Sequence, residues 1–95
     1  MDEQAAVGQG ARMPPLSPRH RAFGAAIRSL RDERKLTQEA LADLCGLTTK
    51  YVGDAERGER NISLRALWQL SDGLGVPASE LLREAERQAN ARSVS

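Results

Sequence analysis

Four hydroxyl residues punctuate this chain. Ser17, Thr37, Thr48 and Ser63 each stand just before a stretch whose apolar residues recur at helical spacing, and Gly46, Gly58 and Gly75 close the last three stretches. A serine or threonine at a helix start accepts a hydrogen bond from a backbone N–H two or three residues on. A glycine just past a helix end adopts the left-handed conformation that other residues resist. Starts and stops this closely spaced admit only short helices, and they fix where each can lie.

The spacing predicts five. The first runs from Pro18, whose missing N–H costs nothing at that position, to about Arg34, with Phe23, Ile27, Leu30 and Arg31 on one stripe and Gly24 as a weak point. The second covers Gln38 to Cys45, with Leu41, Ala42 and Cys45 inward. The third covers Thr49 to about Arg57, carrying Val52, Ala55 and Glu56 at i, i+3, i+4. After a loop over Glu59–Ile62, Ser63 caps a fourth with Leu64, Leu67, Leu70, Ser71 and Leu74 inward. Gly75-Val76-Pro77 breaks the chain before a fifth, from about Ala78 to Arg87, that presents Leu81, Leu82 and Ala85. Residues 1–17, with Gly8, Gly10, Pro14 and Pro15 and no apolar period, read as a disordered tail, and residues 88–95 as a frayed one. The domain is therefore placed at residues 18–87.

Composition agrees with an all-α reading. Of 95 residues only nine are β-branched and 3 % aromatic, while 14 are alanine. A sandwich or barrel needs many more half-buried Val, Ile, Thr and aromatic positions. One cysteine, Cys45, excludes an internal disulfide framework and any zinc site built on paired cysteines. No apolar run approaches the ~18 residues of a membrane span, and the acidic N-terminus does not read as a signal peptide, so a reducing cytoplasm is the expected setting. Net charge is +1, from 14 basic and 13 acidic residues, but it is unevenly spread. Six basic residues face two acidic ones between Arg19 and Lys35, whereas Arg83 alone faces four acidic residues between Ala66 and Glu86. Such polarity fits either one basic face or ordinary solvated helix surfaces.

The informative stretch runs from Thr37 to Val52. Two short helices joined by a glycine-bearing turn, with the small Ala42 at their crossing, make a helix-turn-helix. Leu47 plugs the crease, and Val52 with Ala55 anchors the second helix of the pair. Its other face, Thr49, Lys50, Gly53 and Asp54, is expected to project into solvent. A protruding helix of this kind fits the DNA major groove, and its N-terminal residues can meet base edges.

From Phe23 to Leu82 the chain resembles the lambda-repressor-like helix-turn-helix family, the Cro and XRE group. The resemblance is carried by an ordered set of matches: Ile27-Arg28-x-Leu30-Arg31, Leu36-Thr37-Gln38-Glu39-x-Leu41-Ala42, Gly46-Leu47-Thr48, Tyr51-Val52, Glu56-Arg57-Gly58 and Leu74-Gly75-Val76-Pro77. The run Glu56 to Leu64 also looks like that of controller proteins from restriction–modification systems. The resemblance implies a compact five-helix bundle that regulates transcription by reading DNA. It implies that Thr49, Lys50 and Asp54 read bases, and that Gln38, Thr48, Tyr51, Arg57, Arg60 and Asn61 contact phosphates. It further implies that Arg31 and Glu56 form a buried structural ion pair.

Two residues depart from the family's pattern. Gly53 lies inside the recognition helix, where glycine costs ~1 kcal/mol relative to alanine. Asp54 puts a negative charge there, which either accepts from a cytosine amino group or repels phosphate. The pI of 8.0 falls below the ~9 common for such domains. His20 reads as a solvated residue of a polar first turn and Cys45 as a core residue. Trp68 reads as either core or subunit interface.

Few base contacts fit on so small a domain, so a homodimer on a partly palindromic stretch of double-stranded DNA is expected. Trp68, Leu81, Leu82 and Ala85 are assigned to its interface. The competing reading is an antitoxin-like or anti-repressor module that grips a protein partner. An enzyme is not expected, because one histidine and one cysteine on different helices form no nucleophile–base pair. No cofactor, no metal and no membrane contact are expected either.

Overall fold

A computed structural model describes residues 14–94 of the chain. Within them lie five helices: α1 (Pro18–Glu33), α2 (Gln38–Cys45), α3 (Thr49–Glu56), α4 (Leu64–Leu74) and α5 (Ala78–Val94). No strand occurs among the described residues, and no helix there is long and apolar enough to cross a membrane.

All four hydroxyl caps act as such. The side chains of Ser17, Thr37, Thr48 and Ser63 accept from the backbone N–H groups of His20, Ala40, Tyr51 and Ala66. Gly46 and Gly75 end α2 and α4 in the left-handed conformation, at φ 73° and 74°. Each is followed by an apolar residue that reaches back, Leu47 N–H to the Ala42 carbonyl and Val76 N–H to that of Ser71. The end of α1 uses no glycine: Lys35 adopts φ 56° there, and Leu36 N–H returns to the Arg31 carbonyl.

One boundary differs from the sequence expectation. The fifth helix continues past Arg87 to Val94, because Gln88 to Arg92 contain no breaker and Gln88 is bonded to Glu84 one turn back. Of the expected N-terminal tail, residues 1–13 lie outside the described residues. Leu16 N–H donates to the Gly58 carbonyl at 2.8 Å, tying the start of α1 to the end of α3.

The core gathers Ile27 and Leu30 from α1, Leu41, Ala42 and Cys45 from α2, Val52 and Ala55 from α3, Leu70 and Leu74 from α4, and Leu81 and Ala85 from α5. The longest helix, α5, packs along α1, while α3 rests on α2 and α1, and α4 rests on α2. Small residues set the close approaches. A Cβ on Gly24 would overlap the carbonyl oxygens of Ala55 and Glu56, so the glycine that weakens α1 as an isolated helix is what lets it meet α3. Likewise, a Cβ on Gly73 would overlap the Cys45 sulfur. This arrangement leaves the N-terminal end of α3 at the surface.

Candidate nucleic-acid interface

The turn between α2 and α3 places three successive residues in solvent. Thr48, Thr49 and Lys50 are all exposed, while Val52, Gly53, Asp54 and Ala55 are buried. The free part of α3 is thus its first turn, where backbone N–H groups and the positive end of the helix dipole favour an anionic neighbour.

Beneath that turn lies a polar scaffold. Arg31 Nε donates to Glu56 Oε2 at 2.6 Å and its Nη2 to Oε1 at 3.0 Å, and its Nη1 bonds the Leu36 carbonyl at 2.8 Å. Both side chains are largely covered, 12 % and 5 % exposed. Gln38 Nε2 donates to the same Glu56 Oε1 at 3.0 Å. One carboxylate therefore joins α1, α2 and α3, and Gln38 is held at the start of α2, against Gly53.

The other charged cluster centres on Asp54. Its Oδ1 accepts from Arg57 Nη2 at 2.7 Å, and its Oδ2 accepts from Lys50 Nζ at 2.9 Å and Arg60 Nη2 at 3.2 Å. Arg57 Nε also reaches Glu59 at 3.2 Å, and the Arg60 guanidinium lies 4.4 Å from the centre of the Tyr51 ring. Burial pushes the Asp54 carboxyl up, but Lys50, Arg60 and Arg57 outweigh it and hold the group below the ordinary value of 3.8. Asn61, beyond the cluster, is bonded through Oδ1 to His20 Nε2 at 2.6 Å, and His20 Nδ1 meets Ser17 Oγ at 2.7 Å.

Several expectations need correction. Asp54 and Gly53 do not project into solvent. Asp54 is 8 % exposed, and opposite charges at i−4, i+3 and i+6 pair with it. It faces cations of its own chain. His20 is not simply solvated, since both ring nitrogens are engaged. In the assigned dimer surface, Leu81 and Ala85 are core residues of the single chain, at 0 % and 9 % exposure. Leu82 and Trp68, in contrast, are open to solvent, and Leu64 lies one turn before Trp68 on α4. The helical stripe of α5 simply turns by one position: Leu81 points into the bundle and its neighbour away from it. Glu59, which lies in the Glu56 to Leu64 run but is given no role by the family resemblance, pairs with Arg57. Its only signal is an acid two positions after Arg57.

Comparison with known proteins agrees with this architecture. The model of the helix-turn-helix family (HTH_3) matches residues 27–81. The chain belongs to that helix-turn-helix family. Its relatives include the control protein C.BamHI of Bacillus amyloliquefaciens, 41 % identical over 61 residues, which are 63 % of this chain and 75 % of the relative. The control protein C.MunI of a Mycoplasma species is 39 % identical over 67 residues, or 70 % of this chain and 90 % of the relative. Among solved structures, the restriction–modification controller protein C.AhdI of Aeromonas hydrophila superposes with a TM-score of 0.64 at 44 % identity, over 65 % of this chain and 94 % of that one. The helix-turn-helix of this chain is α2 and α3 with the Gly46 turn.

Proposed function

We propose that this helix-turn-helix protein, a DNA-binding transcription regulator, recognises its operator by setting the first turn of α3 into the major groove as a homodimer. The observation that carries the reading is the capped, exposed start of α3, Thr48-Thr49-Lys50, flanked by the cations Arg57 and Arg60. Thr49 and Lys50 face base edges, and the free ammonium N–H groups of Lys50 suit the O6 and N7 acceptors of guanine. Gln38, Thr48, Tyr51, Arg57, Arg60 and Asn61 take the flanking sugar–phosphates. Two copies pair through Trp68, Leu82 and Leu64, exposed apolar side chains that a lone domain leaves uncovered. Their recognition helices then address half-sites about one helical turn, ~34 Å, apart.

Selection of bound duplexes from a random pool, followed by titration of the selected duplex at several salt concentrations, tests this. The expected outcome is a partly palindromic consensus and a log–log salt slope of roughly −0.9 per phosphate contacted. Lys50→Ala is expected to relax base preference most, and Arg57→Ala to weaken binding to every sequence with a smaller loss of preference. A pool that yields no consensus, or two variants that behave identically on selected and random DNA, overturns the assignment.

A further inference from the structure

Groove insertion of α3 leaves one residue without a role. Asp54 is a buried carboxylate on the recognition helix, and three cations, Lys50, Arg57 and Arg60, converge on it. These same cations are the ones the interface presents to DNA. Together with Glu59 on Arg57, the five charges leave a net of one positive.

Each cation keeps donors to spare. Arg57 uses Nη2 on Asp54 and Nε on Glu59, which leaves Nη1. Arg60 uses Nη2 on Asp54 and places its guanidinium 4.4 Å from the centre of the Tyr51 ring, which leaves Nη1, while its Nε is buried and bonds nothing. Lys50 uses one of three N–H groups and is 78 % exposed. The cations can therefore contact DNA without leaving Asp54, but only along the directions that Asp54 imposes.

We propose that Asp54 is a specificity-setting positioning residue, which reads no base but holds Lys50, Arg57 and Arg60 in one arrangement that only correctly placed DNA acceptors satisfy together. Binding to random DNA is almost wholly phosphate neutralisation and profits from loose, uncompensated cations. A fixed and partly neutralised set withholds that profit, while a matched site finds its partners already ordered. The inference rests on the reading of α3 as the recognition helix.

Asp54→Asn keeps the shape and removes the charge. Its binding to the duplex selected by the wild-type chain and to a random duplex, measured across salt concentrations, separates the outcomes. The expected result is a several-fold rise in affinity for random DNA and a random-duplex salt slope steeper by about 0.9, the increment for one more phosphate. The ratio of selected to random affinity is expected to fall about tenfold. A purely structural Asp54 would lower both affinities in parallel and leave that ratio unchanged, which overturns the proposal while the recognition-helix reading stands. A wild-type chain that binds no duplex overturns both. Should Asp54→Asn not fold, the wild-type Asp54 carboxyl carbon resonance decides. It is expected to hold its free-protein position on the selected duplex, and a large shift there means the ion pairs are abandoned and the proposal is wrong.

Discussion

Arg31 and Glu56 meet side-on across the junction of α1 and α3, with paired contacts of 2.6 and 3.0 Å. The geometry is bidentate, the arrangement that a planar guanidinium and a carboxylate favour. Gln38 donates to the same carboxylate, the Leu36 carbonyl accepts from Arg31 Nη1, and Asp32 lies 3.6 Å from that nitrogen. Removing one partner strands the other charge among buried groups. Glu56→Ala is expected to cost roughly 3–5 kcal/mol in urea unfolding. The double replacement Arg31→Met with Glu56→Leu is expected to cost much less than the sum of the singles. A Glu56→Ala loss under 1 kcal/mol would show the pair to be ornamental.

Gly24, Gly58 and Gly53 differ in the space around them. Gly24 and Gly58 have no room: a Cβ on Gly58 lies 2.8 Å from the Arg21 nitrogen at φ 75°, and one on Gly24 overlaps the end of α3. Alanine at either is expected to destabilise by about 1–3 kcal/mol. Gly53 differs. A Cβ there meets only the far ends of Arg57 and Gln38, the nearest at 3.2 Å. Gly53→Ala is expected to stabilise the chain by about 0.5–1 kcal/mol through the helix preference of alanine. Thermal unfolding of the three variants checks the order, and a Gly24→Ala protein as stable as Gly53→Ala contradicts it.

This contrast shows where the sequence is legible. Caps and stops act locally, through a hydroxyl and a backbone N–H three residues away, so Ser17, Thr37, Thr48 and Ser63 mark their helices before any packing is known. The Arg31–Glu56 pair is reached through family resemblance rather than spacing. What escapes the sequence is decided by tertiary contact. Gly24 reads as a weakness until α3 is seen to lie against it. Lys35 carries no sign that it takes a left-handed turn. Asp54 reads as exposed on a helical wheel, yet the wheel takes no account of Arg57 and Arg60 curling back from the following loop. Its i,i+3 and i,i+4 partners were visible in the sequence, but which charges dominate depends on how that loop is held.

Neighbouring leucines on α5 give the sharpest test of the proposed pairing surface. Leu81 is fully buried, whereas Leu82 is 45 % exposed and Trp68 is 54 % exposed. Leu81→Ala is expected to lower stability by about 2–5 kcal/mol in the single chain. Leu82→Lys and Trp68→Ser are expected to leave unfolding of the single chain nearly unchanged and to shift the sedimentation coefficient from dimer toward monomer. A Leu82→Lys protein that sediments like the wild type places the pairing face elsewhere.

Cys45 supplies a pH signature of the core. Burial between α2 and α4 pushes its thiol up from the ordinary 9.0 to about 11, only partly offset by a backbone hydrogen bond from Gly73. The folded chain therefore keeps the proton that the unfolded chain releases first. Stability from this source is fully present below pH 9 and is lost as the pH rises through about 11. A shift of this size corresponds to about 2–3 kcal/mol, at ~1.4 kcal/mol per pH unit. Urea unfolding of the wild type and Cys45→Ala from pH 8 to 11 isolates it, because the two chains differ only at this side chain. The wild type is expected to lose its advantage over the variant across that interval. Native Cys45 is also expected to react with a thiol reagent at pH 8 only at the rate of opening, accelerating in urea. Prompt stoichiometric labelling of the folded chain would mean that the thiol is reachable and the junction of α2 and α4 looser than this packing requires.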